Sequence, residues 1–323
     1  MAGANLGLGI LLVATMKGGV SGTHECLVKL FDSHGPIHRG MPFGPAWCKM
    51  FRVPNYENDQ GICLRVVDFS ETSQVATMLT REHGLVPMLA KGIRKISAKS
   101  ASALGGPLDL LAMGDLVFIP PRSGELATLT AWQIRDHQPA IRNSLTAFYA
   151  GQIICECTIA MLSPHDPHAS LYDELLAALT LLTGIQAPRA LVAYLKCVLV
   201  AAGYQARLDT CSVCGTPVTP GGTVRFLPGQ GTVVCGNCAG GGPTIATESR
   251  IILALHRLVP PTELLARPPS RPADIAALRA AAKILTAQIQ ALTDRRLRTA
   301  DLLDYVIKTN ELEDRPNPVN KPA

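Results

Sequence analysis

The stretch SQVATMLTREHGLVPMLA, residues 73–90, decides the fold of the first half of the chain. It holds two short apolar and β-branched runs separated by the turn residues REHG, a pattern typical of two consecutive β-strands. Runs of the same kind lie on either side, at ICLRVVDF (62–69), DLVFIP (115–120) and LATLTAWQI (126–134). Five such strands in about 75 residues predict a compact all-β barrel or sandwich, of which the barrel fits the length better.

The second half of the chain changes to Ala- and Leu-rich segments with helical periodicity. The apolar residues of the last such segment recur on one face of a helix, and its neighbours are apolar on more than one side. These segments are predicted to pack as a helical bundle. They are AIRNSLTAFYAGQIICECTIAML (140–162), SLYDELLAALTLLTG (170–184), PRALVAYLKCVLVAAG (188–203), TESRIILALHRLV (247–259) and DIAALRAAAKILTAQIQAL (274–292).

The sequence therefore predicts an α+β chain of several domains. Its first residues are rich in glycine and turn signals and show little periodicity, so we expect little order there. The predicted parts are a poorly patterned extension at 1–57, the barrel domain at 58–138, a helical domain at 139–303 with a cysteine module inserted at 208–240, and a polar tail at 304–323.

Composition narrows the class of protein. The 323 residues carry a formal net charge of +5, a mild basic bias that suits a polyanionic partner only if the charge is clustered. No apolar run reaches membrane-spanning length, since Arg189 and Lys196 interrupt the longest one, so we expect no membrane contact and a cytoplasmic protein. The chain has no phosphate-binding loop of the G-x-x-x-x-G-K-[ST] type, no G-x-S-x-G and no H-E-x-x-H. We therefore expect a binding protein and not an enzyme.

The segment CSVCGTPVTPGGTVRFLPGQGTVVCGNC, residues 211–238, carries two Cys-x-x-Cys pairs separated by 20 residues. Four thiolates complete a tetrahedral Zn²⁺ shell and leave no position for a reactive water, so the spacing predicts a structural zinc. A nucleobase deaminase would need an H-x-E element and a proline before one pair, but Thr210 and Val234 precede the two pairs. A redox pair would need a single Cys-x-x-Cys in a βαβ setting. The predicted ligands are Cys211, Cys214, Cys235 and Cys238.

Positive charge is concentrated just after the central strands. Between residues 81 and 99 five basic side chains face one acidic one, a net +4. A basic loop on a barrel can follow a nucleic-acid backbone, and Gly92 lets the chain bend close to a phosphate. A solvated surface loop explains the same charges equally well. The candidate DNA contacts are Arg81, Lys91, Arg94, Lys95 and Lys99.

Aromatic residues are few, so base stacking is expected to be a minor term. Phe69 and Trp132 are the aromatic residues nearest to the basic loop, and we expect both to lie in the core. His165 and His168, in SPHDPH, are interpreted as parts of a proline-containing loop between helices and not as a metal pair.

The order of barrel, basic loop, helical bundle and inserted cysteine module resembles the RecO family of recombinational DNA repair proteins. The matching pieces span about residues 60–303. They are SETSQVATMLTREHGLVPMLAKGIRK, GELATLTAWQI, FYAGQI, DPHASLYDELLAAL, AGYQARLDTCSVCG, VVCGNC and LTDRRLRTADLL. The sequence departs from the family at residues 1–57, which have no counterpart, and at Gln152, where an acidic residue is expected.

The resemblance implies an OB-fold barrel and a mediator without enzymatic activity. Such a protein would bind single- and double-stranded DNA, promote annealing, contact the single-stranded-DNA-binding protein (SSB), and act with RecR to load the RecA recombinase. It would be associated with the nucleoid. The alternative from a different class is a zinc-ribbon scaffold that binds protein or RNA in transcription or translation. An annealing assay distinguishes the two.

Overall fold

The structure is a computed structural model. It describes residues 55–94, 104, 106–121, 126–267 and 274–307, together with the backbone of five strands before residue 43. The chain divides into two compact units, Met1–Tyr56 and Glu57–Ala323. The second unit contains the barrel, the helices and the cysteine module.

The first unit contains a small antiparallel sheet. Its strands are β1 (Ala2–Leu6), β2 (Ile10–Lys17), β3 (Glu25–Asp32), β4 (Gly35–Pro36) and β5 (Met41–Pro42). They follow the order β1-β2-β3-β4, and β5 also pairs with β3. The expectation of little order in this segment is wrong for these strands, because neighbouring segments pair as hairpins and such local pairing needs no long periodic pattern.

The second unit begins with a closed five-stranded barrel. Its strands are β6 (Glu57–Asp68), β7 (Gln74–Thr80), β8 (Gly84–Ala90), β9 (Met113–Ile119) and β10 (Ala127–Asp136). The neighbours run β6-β7-β8-β10-β9 and close on β6, and all pairs are antiparallel except β8 with β10. This connectivity is that of an OB-fold. The predicted five strands are confirmed, although the first begins five residues earlier than its apolar run.

Alternation along the strands fills the interior of the barrel. In β9 every second residue is buried, as a strand with one face inside requires. The interior contains Met78, Met88, Phe118 and Trp132, each at most 2% exposed. This core is separate from the larger one that the helices build.

The helices follow the barrel in the chain. They are α1 (Pro139–Arg142), α2 (Leu145–Met161), α3 (Ala169–Leu181), α4 (Ala187–Ala201), α5 (Ser249–Arg257), α6 (Pro261–Ala266) and α7 (Ile275–Thr293). Asp274 caps α7 by accepting a hydrogen bond from the N–H of Ala277 at 3.0 Å. The predicted apolar face of α7 is confirmed, since Leu285 and Ile289 are buried in the helical core. That core extends to Val306 and Ile307, beyond the predicted domain end at residue 303.

One face of the barrel contributes to the helical core. Ile62, Leu79 and Leu85 are buried with the helical side chains. At the hairpin between β7 and β8, Gly84 has a φ of +68°, and a β-carbon there would collide with the backbone of Asp166. The REHG turn therefore needs glycine for two reasons, its backbone conformation and the close approach of the chain before α3.

Among the described residues, no helix combines the length and the apolar character needed to cross a lipid bilayer.

Candidate metal centre and nucleic-acid interface

The cysteine module is a four-stranded sheet inserted between α4 and α5. Its strands are β11 (Arg207–Cys211), β12 (Thr223–Leu227), β13 (Thr232–Cys235) and β14 (Ile245–Glu248), in the order β11-β13-β12-β14. The antiparallel pair β12 and β13 returns the second Cys-x-x-Cys to the first. Val224, Phe226 and Val233 of this sheet are buried in the helical core. The module is therefore anchored to the helical domain.

The four cysteine sulfurs form a compact cluster. The Sγ atoms of Cys211, Cys214, Cys235 and Cys238 all lie within 4.8 Å of one another, and those of Cys214 and Cys235 are 3.8 Å apart. A tetrahedral ion with metal–sulfur distances of about 2.3 Å places its ligands about 3.8 Å apart. The residues present therefore fit a metal ion with four thiolate ligands.

The surroundings favour ionised sulfur at two of the four cysteines, Cys211 and Cys214. Backbone N–H groups of Cys214 and Cys235 point at the sulfur of Cys211 and lower the pKa of that thiol to about 6. The hydroxyl of Thr216 likewise lowers the pKa of Cys214. Hydrogen bonds with Cys214 and Cys235 raise the pKa of Cys238 to about 12. The neighbouring thiols therefore titrate as a group, and their negative charges repel one another unless a cation is present. A divalent cation bound here would supply the charge that allows all four thiols to ionise.

A second feature lies at the end of β8, where the chain turns through Lys91, Gly92, Ile93 and Arg94 (the basic turn). Gly92 has a φ of +68°, which a residue with a β-carbon rarely adopts, and open space lies beside it. Ile93 is 3% exposed and packs into the barrel core, so it anchors the turn. Lys91 and Arg94 are exposed on either side of this anchor.

The basic turn is held against the connection between β6 and β7, residues Phe69–Ser73 (the Phe69 turn). The N–H of Arg94 donates to the carbonyl oxygen of Thr72 at 3.2 Å, and the N–H of Gly92 donates to Ser73 Oγ at 3.4 Å. Arg94 Nη1 also lies 2.9 Å from Asp68 Oδ2. The connection between β6 and β7 and the turn that follows β8 thus form one surface at the end of the barrel.

The other predicted contacts have different positions. Arg81 follows β7, where its guanidinium donates to Asp173 of α3 at 3.0 Å, so it links the barrel to the helical domain. Lys95 and Lys99 lie outside the described residues. Of the five predicted residues, the structure therefore brings Lys91 and Arg94 together on one turn.

The expectation that both aromatic residues lie in the core is right for Trp132 and wrong for Phe69. Trp132 is 2% exposed, whereas Phe69 is 67% exposed at the start of the Phe69 turn. Strand β6 ends at Asp68, so Phe69 lies one residue beyond the strand and its side chain is not packed into the barrel. In the sequence, its position directly before the turn residues SETS is the feature that indicates this exposure.

A cavity of about 570 Å³ lies elsewhere on the barrel, and its charged lining residues are the carboxylates Asp59, Glu82 and Asp115 and the cation Arg81. Asp59 accepts hydrogen bonds from the N–H groups of Glu82 and His83 and lies 2.7 Å from His83 Nδ1. This carboxylate holds the REHG turn. Its hydrogen bonds identify a structural role, and an acidic lining does not suit a phosphate backbone.

Comparison with known proteins matches both domains. The family model described as "Recombination protein O N terminal" matches residues 55–137, and the one described as "Recombination protein O C terminal" matches residues 142–299. A protein named DNA repair protein RecO from Anaeromyxobacter dehalogenans (strain 2CP-C) is 35% identical over 249 residues, which are 76% of this chain and 95% of that relative. Proteins of the same name from Rhodopirellula baltica and Myxococcus xanthus are 32% and 31% identical, over 65% and 77% of this chain and 76% and 97% of their own lengths.

Proposed function

The chain belongs to the RecO family of DNA repair proteins, and from this premise we propose that it binds single- and double-stranded DNA and promotes annealing of complementary strands. It acts as a mediator that makes and breaks no covalent bond. With RecR it helps load the RecA recombinase onto DNA covered by SSB. Because its substrate would be chromosomal DNA, we expect the protein in the cytoplasm, at the nucleoid. We propose RecR, SSB and RecA as its partners because the chain belongs to the RecO family.

The observation that carries DNA binding is the exposed basic turn. Lys91 and Arg94 project from a turn that Ile93 anchors and that hydrogen bonds tie to the Phe69 turn. Cations on a rigid support lose little conformational freedom when they bind phosphate. Lys95 and Lys99 follow in the same segment of the sequence and extend the positive charge. Arg81 is the weakest contact of the predicted set, since it lies away from the basic turn and links the barrel to the helical domain through Asp173.

The proposed mechanism is electrostatic. Each cation that neutralises a phosphate releases a condensed counterion, which drives binding without regard to base sequence. Two strands bound this way repel each other less, so complementary bases can meet. The protein contributes charge and a rigid surface.

We further propose that the four-cysteine cluster holds Zn²⁺ in a structural role. The ligands would be Cys211, Cys214, Cys235 and Cys238, and the ion would hold the two Cys-x-x-Cys segments together. Four thiolates close the shell, so such an ion activates no water.

An annealing assay with complementary oligonucleotides tests the proposed function. At equal strand concentrations, the wild-type protein should raise the rate of duplex formation, and the increase should shrink as salt is added because the attraction is ionic. Fluorescence quenching between labelled strands measures the rate. A protein that binds neither strand and leaves the rate unchanged would favour the zinc-ribbon scaffold alternative.

Neutralising Asp68 should strengthen DNA binding. Its carboxylate pairs with Arg94 at 2.9 Å, but both side chains are partly exposed, so the pair contributes at most about 1 kcal/mol and yields readily to phosphate. The Asp68→Asn variant removes the competitor and still offers an oxygen to Gln74, whose amide donates to Asp68 Oδ1 at 3.1 Å. Affinity for a single strand should rise by roughly two- to fivefold at low salt. Fluorescence anisotropy of a labelled oligonucleotide measures it.

The matched control is Asp115→Asn, which removes the same charge from another partly exposed pair of the same barrel, Asp115 with Arg135. It should change the affinity less than Asp68→Asn does. Equal effects of the two variants would mean that only net charge matters and that Arg94 makes no specific contact.

A further inference from the structure

Phe69 stands out by its exposure. At 67% exposed it is the most exposed phenylalanine, tyrosine or tryptophan among the described residues, while the barrel aromatics Phe118 and Trp132 are buried. The ring lies on a surface that carries the cations Lys91 and Arg94 and the carboxylates Asp68 and Glu71, and an exposed ring there adds little to folding stability. It has a π-face available for a ligand.

The backbone around this ring is fixed. The N–H of Phe69 donates to the carbonyl oxygen of Ser73 at 3.0 Å, and the N–H of Ser70 donates to the same oxygen at 3.2 Å. Ser70 Oγ in turn accepts from the N–H groups of Thr72 and Ser73 at 3.4 and 3.1 Å. The ring is therefore presented on a closed turn, which lowers the entropic cost of using it for binding.

Apolar surface continues from the ring across the sheet. Val67, two residues before Phe69, is 45% exposed, and it pairs with Val75 of β7, which pairs with Leu89 of β8. Residues paired in register point to the same side of a sheet, so these three form an apolar row on the outside of the barrel. The basic turn begins two residues after Leu89. An apolar row thus runs from the exposed ring to the cations.

This combination matches the chemistry of an unpaired nucleotide. Phosphates need cations, and the flat face of a base needs an aromatic or apolar surface. In a duplex both faces of each base are covered by neighbouring pairs, so the ring of Phe69 has nothing to stack on there.

We propose that Phe69 stacks on an unpaired base while Lys91 and Arg94 hold adjoining phosphates, so that this end of the barrel selects single strands over duplex. The inference rests on the proposed function and deepens it. The cations give affinity for any DNA, and the ring gives the preference for single strands.

The test compares Phe69→Ala, Phe69→Trp and wild type in binding to an oligothymidylate and to a fully paired linear duplex. Stacking on one base is worth about 5- to 150-fold in affinity, so Phe69→Ala should weaken oligothymidylate binding within that range and leave duplex binding nearly unchanged. Phe69→Trp should retain or exceed the wild-type affinity. The slope of log affinity against log salt should be the same in all three, because no charge changes.

Tyr204→Ala serves as the control, since it removes another exposed aromatic ring, 48% exposed, from the helical domain. It should leave both affinities unchanged, and the melting temperatures of all variants should agree with that of the wild type. Equal losses on single strand and duplex in Phe69→Ala would overturn the stacking proposal.

The two proposals fail in different ways. If Phe69→Ala binds like wild type while reversal of Lys91 and Arg94 removes binding, the stacking inference is wrong and the proposed function stands. If neither change affects binding, both are wrong for this surface.

Discussion

The Cys211→Ser variant should lose its metal and unfold at a far lower temperature than the wild type. The four sulfurs lie within 4.8 Å of one another, so one missing thiolate opens the shell and leaves three thiols that repel when ionised. Structural zinc contributes on the order of 10 kcal/mol to the folding of its module. Val224, Phe226 and Val233 are part of the helical core, so loss of the module should destabilise the helices as well. Elemental analysis and thermal unfolding measure the two effects.

Cys197→Ser is the matched control. Cys197 is a partly buried free thiol of α4 that lies outside the cluster. Its replacement should keep one metal ion per chain and cost little stability. A wild type that carries no metal, or that keeps its full melting temperature after a strong chelator has removed the metal, would contradict the structural role.

The sequence predicts those features that depend on local pattern or fixed spacing. The short apolar and β-branched runs such as QVATMLT, separated by turn residues, identify the barrel strands, and the interval of 20 residues between the cysteine pairs identifies the cluster. Both follow from short-range geometry, because a strand alternates its faces and four thiolates must converge on one point.

Local sequence patterns do not predict features that depend on residues far apart in the chain or on where a strand ends. A charge count treats Arg81 like Lys91, but Arg81 pairs with Asp173, 92 residues away, and only the packed structure brings the two together. The sequence alone predicts Phe69 in the core, because large apolar side chains are usually buried. Its exposure depends on β6 ending one residue earlier, at Asp68.

Reversing the charges of Lys91 and Arg94 to glutamate should weaken DNA binding more than any other change considered above. Hydrogen bonds to charged groups contribute about 1.5–3 kcal/mol each, so losing two weakens binding by about a hundredfold or more, and the new carboxylates repel phosphate besides. Annealing should fall together with binding, since both depend on the same neutralised phosphates. Adding Lys95→Glu should deepen the loss.

The neutral variant Lys91→Ala/Arg94→Ala measures the contacts directly. On single strands each phosphate contact adds about 0.7 to the slope of log affinity against log salt, so the slope should fall by about 1.4 for any base sequence. Anisotropy titrations at several salt concentrations give this slope.

The control reverses an equal charge elsewhere, at Arg207 and Arg267, which are exposed in the cysteine module and at the end of α6. If long-range attraction by net charge drove binding, this pair would weaken it as much as the basic-turn pair does. Local phosphate contacts instead predict a much smaller loss, with metal content and melting temperature unchanged in both variants. Wild-type affinity and salt slope in the basic-turn reversal would show that Lys91 and Arg94 form only a solvated surface, and DNA binding by this barrel would then rest on family membership alone.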